Sequence, residues 1–277
     1  MSIFTIARLT FLEAQRRKLL WAVLLMGLAF LILYAVGFYF TYRDFSRQGA
    51  TLPRQFFEMA NVLLLMGLYV VNFLGIVLAV LISVDTIAGE ITSGTIQTIV
   101  SKPLRRWQVV CGKWLGLAVM LSAFVILMCT ALMAIVWFIA RYMPPNAVQG
   151  TALIVLSGLV LLTLSILGGT RLATLANGVV VFMLYGLAFV AGWIEQIGAF
   201  VRNATAVDIG IFVSLLMPSE AMWKRAAYLM QPPFMRDLGI TPFSSSSAPN
   251  DAMVAYTIGY IVLTLGVALH LFQRRDL

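Results

Sequence analysis

An all-α, polytopic membrane protein with six transmembrane helices is the fold this sequence predicts, on three observations. The first is composition. Of 277 residues, 61% are hydrophobic and only 11% charged, with a mean hydropathy of +0.96; soluble globular chains average about 45–50% apolar and about 25% charged. The second is a set of six uncharged runs, at 19–42, 59–84, 114–140, 142–170, 172–194 and 252–273. Each can supply the roughly 20 helical residues that cross a hydrocarbon core about 30 Å thick. The third is the distribution of charge. With six spans both termini share a side, and that side carries 11 of the 19 basic residues, among them Arg8, Arg16, Arg17, Lys18, Arg171, Arg274 and Arg275, against four acids. By the positive-inside rule the termini are therefore expected in the cytoplasm, in a cytoplasmic membrane.

Along the chain, residues 1–18 are predicted as a helix lying on the membrane surface. Ile3, Phe4, Ala7, Phe11 and Ala14 recur at helical spacing, while the basic residues fall on the other face. This start is not expected to be a cleavable signal peptide, because the run after Arg16, Arg17 and Lys18 is too long for an h-region and lacks a small-residue cleavage site. The first span ends in the aromatic belt Phe38, Tyr39, Phe40 and Tyr42, and 43–58 follows as an external loop. Asn72 in the second span is expected to hydrogen-bond between helices. The third and fourth spans are joined by a turn at 144–146, and the fourth and fifth by a short cytoplasmic turn at 171–177. The fifth is expected to end near Glu195, with a break around Gln196, Gly198 and Arg202. An ionisable group at that depth is a candidate for the external or substrate side, although an anchor at the water boundary is the preferred reading. Residues 200–251 form the one sizeable external segment: two short helices near 209–218 and 220–230, with Trp223, Lys224, Arg225 and Tyr228 at the membrane interface, then a serine-rich loop. The piece 209–219 is too short to cross. His270 near the end of the last span is read as a polar anchor.

Between the second and third spans lies a polar stretch, 83–115, that is too specific in composition for a plain connector. Asp85 and Glu90 stand near its start, where a helix N-terminus favours anions. Pro103 suits a corner followed by the first turn of a new helix. Beyond it Trp107 and Trp114 share one face, expected at the headgroup layer, while Arg106 and Lys113 share the next, facing cytoplasmic water or phosphates. The expectation is a short helix, a sharp corner and a second helix running into the membrane.

The string Asp85, Gly89, Glu90, Ser93, Gly94, Thr95, Ser101, Pro103, Arg106, Gly112 and Lys113 resembles the pattern of ABC-2 type exporter permeases, especially the branch containing the permease of nitrous oxide reductase copper-site maturation. The N-terminal ARLTFLEAQRRKLL is similar to that family's elbow helix, and GWIEQIGAF with SLLMPSEAMWKRAAY to the segment before its last span. The resemblance implies a single transmembrane domain over 1–277, with an elbow helix at 1–18 and a cytoplasmic coupling helix within 85–113. It implies that Asp85, Glu90, Gly94, Thr95, Ser101, Lys102, Pro103, Arg105, Arg106, Gly112 and Lys113 serve coupling to a separate ATP-binding subunit, present in two copies and carrying ATP and magnesium. The permease itself would pair as a homodimer or pseudo-dimer, because six spans alone enclose no pathway.

Other classes find little support. The surplus of basic residues needs no nucleic-acid partner once topology accounts for it. There is no GxxxxGK[ST] loop, no HExxH and no GxSxG, so neither ATP hydrolysis nor another catalytic scheme is expected in this chain. Cys111 and Cys129 define neither a disulfide framework nor a metal site, and no cofactor is expected. Two alternatives to an exporter stay open: a mechanical transmitter that works on an external accessory protein, and a membrane-embedded lipid-processing enzyme. The transported substrate is not written in these residues.

Overall fold

The computed structural model describes residues 3–15, 18–47, 53–92, 106–238 and 249–274. Among them the chain is helical throughout: α1 (Ile3–Gln15), α2 (Lys18–Arg47), α3 (Pro53–Thr92), α4 (Arg106–Ala140), α5 (Ala147–Gly169), α6 (Thr174–Val201), α7 (Ala204–Leu216), α8 (Ser219–Met230), α9 (Pro233–Leu238) and α10 (Asp251–Gln273). Six of these, α2 to α6 and α10, are long and apolar enough to cross a membrane, as the uncharged runs predict.

The bundle has a centre and a rim. The apolar stretches of α3 and α5 are 67% and 61% buried, whereas those of α2 and α10 are 17% and 22% buried. Helices apolar all round sit inside a bundle or against lipid, and both cases occur here. The centre is aliphatic, with Leu64, Leu65, Leu68, Leu78, Leu121, Leu132 and Ile154 withdrawn from solvent. Glycines let helices close up in it: a Cβ on Gly67 would lie 2.7 Å from Leu132 Cδ1 of α4. Polar side chains are buried among them as well. Asn61 donates to the Tyr142 hydroxyl at 2.8 Å and to the Met230 carbonyl at 2.9 Å, so it joins α3 to the end of α8. Asn72 departs from expectation: it is buried, and neither amide atom finds a hydrogen-bond partner among the described residues.

Two stretches differ in shape from the sequence reading. The second span does not stop near Val84 but continues as one helix of 40 residues to Thr92, about 60 Å at 1.5 Å per residue. Asp85 therefore stands in its last turns and not near a helix start. Likewise α6 runs unbroken past Glu195 to Val201, and the turn falls at Arg202, whose φ of 58° caps the helix in the left-handed region. Asn203 then caps α7, accepting from the Ala206 N–H at 3.3 Å. Gly198 is where α7 folds back, since a Cβ there would lie 2.5 Å from that of Ala206.

From that turn α7 and α8 form a hairpin bent by 110°. The expected pair of short helices is present, but α8 is no interfacial surface. Ala221, Met222, Trp223, Ala226, Ala227 and Met230 are all buried, against α5, α6 and α3. Trp223 packs on Tyr69 of α3 with ring centroids 5.0 Å apart. Arg225 donates to the Pro249 carbonyl and to the Asp251 carboxylate, which holds the start of α10 beside the hairpin.

Candidate functional site

The polar stretch between the second and third spans is where the sequence concentrates its candidate residues, and the described part of it consists of its two flanks. Gly94, Thr95, Ser101, Lys102, Pro103 and Arg105 lie outside the described residues, while Glu90 and Arg106 belong to the ends of α3 and α4 by backbone only. The flanks are helical and closely tied to each other.

On the α3 side, Thr174 at the start of α6 donates its hydroxyl to Asp85 Oδ1 at 3.3 Å. Gly89, one turn further on, leaves room for that carboxylate, because a Cβ there would fall 2.0 Å from Oδ1. On the α4 side, Lys113 is only 4% exposed, and its ammonium donates to the Thr86 carbonyl at 3.0 Å. This corrects the expectation that Lys113 faces water or a partner. Thr86 lies six residues before the end of α3, so the ammonium is an additional donor to a carbonyl within the helix, a charge-assisted bond that ties α4 to α3. Trp114 is likewise no headgroup anchor: its indole N–H donates to Thr163 Oγ1 of α5 at 2.8 Å.

Gly112 also has a neighbour within the chain. A Cβ on it would lie 2.7 Å from Ile6 Cβ, and one on Gly116 would lie 2.5 Å from the Ala7 carbonyl oxygen. The sequence GKWLG thus forms a small-residue face on α4 that seats α1, the expected elbow helix, at backbone distance. Gly116 was not among the candidates, although its spacing from Gly112 was the available signal. A further tie closes the junction: buried Asn177 of α6 donates to the Ser165 carbonyl of α5 at 2.8 Å. Arg171, in the α5–α6 turn, is exposed.

Among the described residues no group of three or more His, Cys, Asp or Glu side chains could hold a metal ion. The arrangement ties α1, α3, α4, α5 and α6 together around the last turns of α3 and the first turns of α4.

At the opposite end of α6, Glu195 is buried, 6% exposed, and pairs with Lys224 of α8 at 2.7 Å. The reading of Glu195 as an anchor at the water boundary is overturned by the hairpin that covers it. Gly210 of α7 packs over it, a Cβ there falling 2.3 Å from the Glu195 Cβ. Glu220 is the polar residue that sequence reasoning missed here, and Lys224, expected at the membrane interface, instead turns inward to Glu195. The spacing of four between Glu220 and Lys224 on one helix was visible, but their inward placement depends on the hairpin fold.

Six apolar helices around a buried core, with a polar junction at one end, define an all-helical multi-pass membrane protein. Residues 4–277 match the model of the ABC-2 family transporter protein family, and the chain belongs to that family of membrane transport components. No curated protein matches the chain.

Proposed function

We propose that this chain is the permease subunit of an ABC exporter of the cytoplasmic membrane, driven by a separate ATP-binding subunit. Two copies of that subunit, carrying ATP and Mg²⁺, would serve a dimer of permeases with all termini in the cytoplasm. The segment 93–105, with Glu90 and Arg106 at its edges, docks on the ATP-binding subunit through charge-assisted contacts. Within the family, the pattern from Glu90 to Lys113 favours the branch of the copper-site maturation permease.

One observation carries this reading: α3 and α4 continue as unbroken helices from the apolar core to Thr92 and from Arg106. A lever must be stiff between the point where force enters and the place it is delivered, and packed helices shift as units. Force applied at 93–105 reaches α6 through Asp85 and Thr174, and α1 through Gly112 and Gly116. The Lys113–Thr86 bond keeps α3 and α4 moving together.

The test is reconstitution with the co-purifying ATP-binding subunit. Glu90→Ala and Arg106→Glu should leave membrane insertion intact and weaken vanadate-sensitive ATP turnover coupled to transport. Unchanged coupling in both variants would sink the assignment.

A further inference from the structure

Where α8 meets α6, two buried carboxylates, Glu195 and Glu220, share the neighbourhood of one part-buried ammonium, Lys224. Lys224 is engaged by Glu195 at 2.7 Å. Glu220, one turn before Lys224 on α8, is 5% exposed, and its Oε2 has no hydrogen-bond partner among the described residues. A Cβ at Gly192 of α6 would lie 2.8 Å from Glu220 Cγ, so the side chain rests directly on that helix. Tyr69 of α3 and Tyr185 of α6 are near enough to sense its charge. Tyr69 is itself enclosed by Trp223 and Phe189, with ring centroids at 5.0 Å and 6.3 Å. The titratable or charged groups facing Glu220 are therefore Lys224 on its own helix, Glu195 and Tyr185 on α6, and Tyr69 on α3.

One lysine cannot neutralise two carboxylates. With both ionised, the cluster holds a net negative charge away from water, which is costly unless a further cation enters. The tight seat on Gly192 favours the smallest cation, and the orphaned Oε2 marks where it would sit. We propose that this cluster is a proton-binding site in which Glu220 carries the proton, and that losing the proton to solvent loosens the seating of α8 on α6 and α3.

The direction of titration agrees. Burial raises the Glu220 pKa from 4.5 to about 7, with Lys224 pulling it down and Glu195 pushing it up. A carboxyl that prefers its acid form when buried stabilises the docked hairpin most at low pH. That stabilisation declines as pH rises from 4.5 to about 7 and is level above. Opening of α8 should accordingly rise about tenfold between pH ~6 and ~8.

The test is an infrared pH titration of the full-length protein in lipid nanodiscs, following the carbonyl stretch of a protonated carboxyl from pH ~5 to ~9. The band should vanish with a midpoint near neutrality and be missing in Glu220→Gln. Lys224→Met should move the midpoint up, and Glu195→Gln should move it down. Hydrogen exchange over 219–230, corrected for its intrinsic pH dependence, should rise with pH in the native protein and stay flat in Glu220→Gln. A band unchanged by Glu220→Gln, a midpoint in the ordinary carboxylate range, or a band persisting to the alkaline limit would each overturn the proposal. Should Glu220→Gln fail to fold, an unmoved midpoint in Lys224→Met overturns it as well.

Discussion

Gly116 and Lys113 show how much of this molecule's specificity sits in single contacts within one turn of α4. A side chain at 116 would meet the Ala7 carbonyl at 2.5 Å, and backbone cannot swing aside as a flexible side chain can. Gly116→Leu should cost about 1–3 kcal/mol, the usual penalty of overpacking, and lower the melting temperature by several degrees. Gly37→Leu is the control, because a Cβ on Gly37 meets nothing within 4 Å; its thermal unfolding should match that of the native chain. Lys113→Met removes the donor to the Thr86 carbonyl while keeping an apolar stem. It should destabilise by about 1–3 kcal/mol without weakening affinity for the ATP-binding subunit in the folded fraction. Loss of affinity at full stability would restore Lys113 to the partner surface.

The α7–α8 hairpin is the element whose position sequence reading missed, and the reason is physical. Run length and hydropathy report contact with lipid, so they marked the six spans well. They do not report helix length, since a helix continues through charged residues once outside the core, as α3 does from Asp85 to Thr92. They also misjudge a helix buried in protein: SEAMWKR looks interfacial by composition, yet Lys224 meets its partner 29 residues away. The coupling stretch was legible as polar and distinctive, but the inward turn of Lys113 and the α1 seat on GKWLG depend on which helices become neighbours. If the Glu195–Lys224 pair fastens the hairpin, Lys224→Met should destabilise by about 3–5 kcal/mol, the cost of leaving one buried charge unpaired. In a double-mutant cycle, Glu195→Gln with Lys224→Met should cost well under the sum of the single changes. Additive losses in thermal unfolding would mean that the pair contributes little.

Taken whole, the molecule has two polar ends joined by a mostly apolar bundle, with α6 reaching both. Thr174 at one end meets Asp85, and Glu195 near the other meets Lys224. The least buried apolar stretches are those of α2, α6 and α10, at 17%, 33% and 22%. In the proposed function, energy enters through the segment between α3 and α4. Single cysteines placed across 93–105 on a background lacking Cys111 and Cys129 test it most directly, by disulfide trapping against cysteines in the co-purified ATP-binding subunit. Cysteines at 144–146, in the turn between α4 and α5, serve as the opposite-side control. Trapping is expected from 93–105 alone, with yields that change when ATP is bound. Trapping from 144–146, or none from 93–105, would contradict it.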